Sequence, residues 1–84
     1  MANLHQKVCH VLWKLVQQYG VSHPDGLEIK LKISQHDLAD LLSSSRQTIN
    51  KEIKKLVNLN VVFWQYENII IHDLKYIESR ISEV

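Results

Sequence analysis

Cysteine is nearly absent from the sequence: Cys9 stands alone. A single thiol excludes an internal disulfide and suits a reducing compartment. No apolar stretch approaches the roughly 20 residues that a membrane-spanning helix needs. The first segment is broken by His10, Lys14 and Gln17, with no small-residue cleavage site after it, so it does not read as a secretory signal. A cytoplasmic chain without a membrane partner is the expectation. The 5 histidines are scattered, no two at i, i+4 spacing, and no cysteine cluster supports them, so no structural metal is expected. Charge of one sign is also lacking. The net charge is +1, so a polyanion partner is indicated only if the cations are focused in one place. No repeat, low-complexity tract or linker is visible.

What is present fits one globular domain over residues 1–84: 45% hydrophobic and 23% charged residues are neither disordered nor fibrous in composition. Leu4, Val8, Val11, Leu12, Leu15, Val16 and Tyr19 recur at three- and four-residue steps and predict a helix over Asn3–Tyr19. Gly20 is expected to end it in a left-handed cap. His23-Pro24-Asp25-Gly26 predicts a turn, and the strict alternation from Leu27 to Ile33 predicts a half-buried strand. Ser34 and Asp37 form a candidate capping box ahead of a second helix whose buried stripe is Leu38, Ala39, Leu41 and Leu42. Ser43, Ser44 and Ser45 interrupt the pattern, and any of them can cap the next helix, whose inner face is Ile49, Ile53, Leu56 and Val57. Asn60 is a plausible left-handed exit. Val61–Tyr66 and Ile69–His72 read as a hairpin about Glu67-Asn68, and Asp73 caps a last helix carrying Leu74, Ile77 and Ile81.

Two short helices joined by a polar elbow and followed by a hairpin predict an α+β fold, a winged helix-turn-helix. Opposite the apolar face of the third helix lie Gln47, Thr48, Lys51, Lys54 and Lys55. Amides, a hydroxyl and amines are the groups that bond base edges and phosphates in a major groove, which admits one α-helix. Arg46–Lys55 holds four cations against one carboxylate, a net +3, leaving −2 for the rest of the chain. The elbow serines meet the positive end of that helix, a natural phosphate site. Three readings compete: a nucleic-acid reader, a winged-helix protein-docking module without DNA readout, and a merely solvated helix face. His36 and Asp40 share a helical face, but a surface ion pair explains them, so no catalysis and no catalytic residue is expected. Cys9 reads as buried apolar filler.

The same residues resemble the C-terminal DNA-binding domain of the Crp/Fnr superfamily of bacterial transcription regulators, over nearly the whole chain. His23-Pro24-Asp25-Gly26 resembles the family's turn before a strand. Ile33–Leu42, with the small Ala39, resembles its first motif helix. Ser45-Arg46-Gln47-Thr48-Ile49 resembles its Ser-Arg-Glu-Thr-Val recognition segment, and Leu56–Val62 its exit into the wing. The resemblance implies that Arg46 contacts a guanine edge, that Lys51 stands where a base-contacting arginine is frequent, and that Ser45 and Thr48 bind phosphate. The expected base-contacting set is Arg46, Gln47 and Lys51. The backbone-contacting set is Ser34, Ser44, Ser45, Thr48, Lys54 and Gln65. Gln47 replaces the family's glutamate and suits adenine rather than cytosine. Lys51 lacks arginine's planar fork. Ser43 stands where glycine is common, and Glu67 at the wing tip repels phosphate. Glu52 has no assigned role.

The resemblance further implies homodimers that read two-fold symmetric double-stranded DNA under an N-terminal sensor domain. RNA polymerase is a further candidate partner. The chain is expected to be a piece lacking that sensor and the dimerisation helix. No cofactor is expected in this chain, since the effector belongs to the sensor.

Overall fold

A computed structural model of the chain describes residues 3–81. The first helix, α1 (Leu4–Tyr19), starts in a capping box: the Asn3 carboxamide oxygen accepts the Gln6 N–H at 2.8 Å, and the Gln6 side chain accepts the Asn3 N–H at 3.0 Å. Its inner stripe, Val8, Cys9, Leu12 and Val16, is buried. Gly20 does end α1, but not in a left-handed cap. Its φ is −73° and ψ 135°, an extended conformation that opens β1 (Gly20–His23). Glycine is required there for space. A Cβ would lie 2.3 Å from the Val16 carbonyl oxygen, which accepts the Gly20 N–H.

Strand β1 was not predicted. Its four residues include one apolar side chain, Val21, so no alternation marks it. Its place is fixed by antiparallel pairing with β2 (Gly26–Ile29), Gly20 facing Ile29 and His23 facing Gly26. The Pro24-Asp25 turn joins the two strands. Gly26 takes φ +144°, where a side chain would collide with the Ile71 carbonyl. The strand predicted through Ile33 stops at Ile29. Lys30 turns its N–H to the Tyr19 carbonyl at 2.8 Å. Leu31 and Ile33 still pack against the core from irregular backbone, so the alternation reported burial rather than pairing.

The capping box of α2 (Gln35–Leu41) is present as expected. The Asp37 N–H donates to Ser34 Oγ at 3.1 Å and the Ser34 N–H to Asp37 Oδ2 at 2.9 Å. Leu38 and Ala39 are buried and Leu42 is half-buried, but Leu41 is 63% exposed, contrary to the predicted stripe. Helix α2 ends at Leu41, so the backbone has turned before a further turn of helix could cover that side chain. The elbow turns through Ser43 at φ +52°. The Ser44 N–H donates to the Ala39 carbonyl at 2.9 Å, and Ser45 caps α3 (Arg46–Asn58). Ile49, Ile53 and Leu56 are buried as expected. Val57, expected with them, is 40% exposed because it lies around the helix toward Lys54, over a groove beside Trp64. Asn60 leaves α3 at φ +58°, as its residue type predicts.

The wing is β3 (Val62–Gln65) and β4 (Asn68–Ile71), with Gln65 facing Asn68. Its two-residue turn is Tyr66-Glu67, one residue earlier than predicted. Tyr66 takes φ +57°, and its carbonyl accepts the Trp64 indole N–H at 2.9 Å. Strand β4 also pairs with β2, giving one antiparallel sheet ordered β1-β2-β4-β3. Asp73 Oδ1 accepts the Tyr76 N–H at 3.1 Å at the start of α4 (Leu74–Ile81), as predicted. Helix α4 packs on α1. Ile29, Trp64, Ile69 and Ile71 cover the core from the sheet side. This is the predicted α+β winged helix-turn-helix. Among the described residues the core holds no polar or charged side chain, and none of the helices is long and apolar enough to cross a membrane.

Candidate nucleic-acid interface

Helix α3 divides into two faces. One is sealed by Ile49, Ile53 and Leu56 against α1, α2 and β3. The other presents Arg46, Gln47, Thr48, Asn50, Lys51 and Lys54, all exposed. The start of the helix is capped by hydroxyl groups. Ser45 Oγ accepts the Thr48 N–H at 3.1 Å, and the Ser45 and Thr48 hydroxyls bond each other at 2.6 Å. The first turn of α3 has no acidic residue, so its positive end is uncompensated. The start of α2 differs: Asp37 sits there and accepts the Ser34 N–H. Those hydrogen bonds from Ser34, backbone first and hydroxyl second, hold the Asp37 carboxyl below the ordinary carboxylate range. Anion attraction therefore concentrates at Ser45 rather than Ser34.

The three expected base readers are brought together. Arg46, Gln47 and Lys51 line one shallow concavity of about 350 Å³, with Asn50 as the fourth wall. Ser34 and Arg46 share a neighbouring cleft of about 420 Å³ with Gln35, His36, Asn50, Tyr66 and Glu67, so the starts of both motif helices and the wing tip meet there. Lys54 lines the groove between α3 and the wing with Gln35, Asn50 and Trp64. Ser44 lies half-buried in the elbow, and Gln65 is exposed on β3; neither lines these hollows. Asn50 borders all three and was absent from the sequence reading. Its spacing, four residues after Arg46 and four before Lys54, was the available signal.

Glu52, left without a role by the sequence, proves to be a tie. Its Oε2 accepts His5 Nδ1 at 3.0 Å, its Oε1 accepts Lys55 Nζ at 3.2 Å, and its side chain is 13% exposed. With Nδ1 carrying the proton, His5 Nε2 accepts the Tyr76 hydroxyl at 3.0 Å. One imidazole thus links α1, α3 and α4. His36 and Asp40 form the expected exposed pair at 3.5 Å. Cys9 is buried, and burial pushes its thiol up to about 11, in keeping with filler rather than a nucleophile.

Residues 6–80 match the Crp-like helix-turn-helix domain. The chain belongs to the Crp-like helix-turn-helix domain family. Sequence-specific DNA binding in transcription regulation is the function of this Crp-like domain. It is 29% identical over 80 residues to ycf28, a candidate HTH-type transcriptional regulator of Porphyra purpurea, covering 95% of this chain and 34% of that protein. Its fold matches the CO-dependent transcription factor CooA from Carboxydothermus hydrogenoformans in its imidazole-bound form. The TM-score is 0.88 at 15% identity, over 94% of this chain and 37% of the other. It also matches TTHA1359, a transcriptional regulator of the CRP/FNR family from Thermus thermophilus. There the TM-score is 0.83 at 22% identity, over 96% of this chain and 41% of the other. The Crp-like domain therefore spans about a third of its curated relative and about two-fifths of these regulators.

Proposed function

We propose that α3 enters the major groove of double-stranded DNA, with Arg46, Gln47 and Lys51 on base edges. Ser45 and Thr48 hold a phosphate at the helix start, and Ser34, Ser44, Lys54 and Gln65 contact the backbone. The observation that carries this reading is the two-faced character of α3: one face wholly buried, the other a continuous row of hydrogen-bonding side chains with a net positive charge. The groove is wide enough for such a helix, and the elbow projects α3 while α2 braces it. Gln47 favours adenine, while Arg46 can take guanine bidentately. In the whole protein, two copies read a two-fold symmetric site, and a sensor outside this chain binds the effector. RNA polymerase is the further partner of the assembled regulator. The whole protein is read as a cytoplasmic regulator without catalytic activity.

The test compares Arg46→Ala with Lys54→Ala in salt titrations on a selected duplex and on scrambled DNA. Loss of a base contact costs about 1–3 kcal/mol and relaxes preference at one position. Loss of a phosphate contact weakens all sequences alike and lowers the magnitude of the salt slope by about one. Equal, sequence-independent losses for both variants remove Arg46 as a reader. Absence of salt-dependent binding by the parent chain favours the docking-module reading instead.

A further inference from the structure

We propose that His5 is a proton-operated catch on α3: a charged imidazole takes over Glu52 and releases the Lys55 ammonium to a backbone phosphate, so DNA is bound more tightly as pH falls. This rests on α3 lying in the major groove. Glu52 holds two donors at once. His5 Nδ1 meets its Oε2 at 3.0 Å, and Lys55 Nζ meets its Oε1 at 3.2 Å. The two partners differ in setting. His5 is largely enclosed between α1, α3 and α4, whereas the Lys55 side chain is open to solvent. While the imidazole is neutral, Lys55 supplies the positive charge opposite the carboxylate. A charged imidazole assumes that part, and two cations on one carboxylate repel each other. The lysine is the one that can leave, because an exposed pair of this kind is weak and its stem is flexible.

The imidazole gains its charge without losing a hydrogen bond. Uncharged, it donates from Nδ1 to Glu52 and accepts the Tyr76 hydroxyl at Nε2. Charged, it donates at both nitrogens, and the Tyr76 hydroxyl becomes the acceptor. The hydroxyl proton then turns to the hollow of about 540 Å³ that Tyr76 borders with Asn3, Lys55, Asn58 and Leu59, where water takes it. Among the described residues, the charged and titratable groups around the imidazole are Glu52 and Lys55 of α3, Tyr76 and Arg80 of α4, and Cys9 of α1. The Arg80 guanidinium lies over the Tyr76 ring, 5.3 Å from its centroid, and burial keeps the Cys9 thiol neutral. Lys55 stands one turn after Lys51, at the edge of the exposed face of α3 beside Glu52. A helix seated in a groove turns its edges to the phosphate-lined walls, so a released Lys55 adds a cation there. Linkage makes the effect reciprocal: duplex binding that favours the free lysine favours the charged imidazole and takes up a proton.

The experiment selects a duplex with the 84-residue chain and titrates it against salt at pH 6 and pH 8, a range across which histidine changes charge. The other histidines, including His36 in the cleft beside Arg46, add a pH response common to all variants, so each variant is read against the parent. All measurements are made below each variant's melting transition. The parent is expected to bind several-fold more tightly at pH 6, with a salt slope larger in magnitude by about one, the mark of one added phosphate contact. His5→Gln and Lys55→Ala each lose that increment. Glu52→Gln cannot retain the ammonium and shows the steeper slope at both pH values. Calorimetry in two buffers of different ionisation enthalpy registers proton uptake on duplex binding, smaller for His5→Gln than for the parent. An unchanged pH response in His5→Gln, an undiminished increment in Lys55→Ala, or a shallow slope at pH 8 in Glu52→Gln overturns the proposal and leaves the groove reading standing. Absence of duplex binding at both pH values overturns the groove reading and the proposal with it.

Discussion

Glu52→Ala tests how the reading helix is anchored. The substitution removes the acceptor for two donors. The half-buried hydrogen bond from His5 contributes about 1–1.5 kcal/mol. The pair with Lys55, whose side chain is 63% exposed, contributes about 0.3–0.5 kcal/mol. The lost methylene adds about 0.8 kcal/mol. The expected cost is about 2–3 kcal/mol, against a total of about 4–13 kcal/mol for a domain of 84 residues. For this size each kcal/mol shifts the melting midpoint by about 4–8 °C, so the variant should melt about 10–20 °C lower. Thermal and urea unfolding followed by circular dichroism measure this, and a cycle with His5→Ala isolates the tie. Coupling of about 1 kcal/mol or more is expected between His5 and Glu52. A coupling below about 0.5 kcal/mol, or a Glu52→Ala midpoint within a few degrees of the parent, would refute the idea that α3 is fastened to α1 through this carboxylate.

Ile49→Asp places an unpaired charge where the two motif helices meet, at a fully buried site, and should cost on the order of 3–5 kcal/mol; a near-parental midpoint would contradict the helix–helix packing. Gly26→Ala sets a Cβ 2.0 Å from the Ile71 carbonyl oxygen at φ +144°, so urea unfolding should show a loss of at least about 1–3 kcal/mol. The capping box gives a pH dependence. The Asp37 carboxyl is held down by the Ser34 N–H and hydroxyl, so its contribution is present above the unfolded carboxylate pKa of about 4 and is lost as pH falls through the lower folded value. Midpoints measured from pH 6 to pH 2 should fall less steeply for Asp37→Asn than for the parent.

Much of this fold was legible because local rules agree with it. The three-and-four spacing of α1, the Ser34–Asp37 box, the Ser45 cap and the left-handed Asn60 are each encoded within a few neighbouring residues. Strand β1 was not, because its hydrogen bonds come from β2 and its own side chains carry no period. Leu31 and Ile33 alternate like a strand yet only dip into the core. Leu41 and Val57 obey a helical stripe but sit at its margins, where the neighbouring elements end. Of the polar face of α3, Gln47, Thr48, Lys51 and Lys54 were readable from its wheel; Arg46 came only from the family resemblance, Asn50 was missed, and Lys55 turns to Glu52 instead. The two contacts that organise this face were not readable: Glu52 meets His5 across 47 positions and Asn50 meets Gln35 across 15, and no short-range pattern announces either.

Ser43 has a thermodynamic consequence in the denatured chain. Glycine would reach φ +52° without strain, so Ser43→Gly should relieve the native elbow. The same change would enlarge the ensemble of unfolded conformations from which the elbow must be recovered, by about 0.4–1 kcal/mol of conformational entropy. The two effects oppose each other at similar size, so overall stability should change little. What changes is the width of the well. A serine in the left-handed region has little room to wander in φ and ψ, whereas a glycine has a broad basin. The hydroxymethyl group therefore narrows the hinge between brace and reader, restricting thermal swings of α3 in the unbound protein.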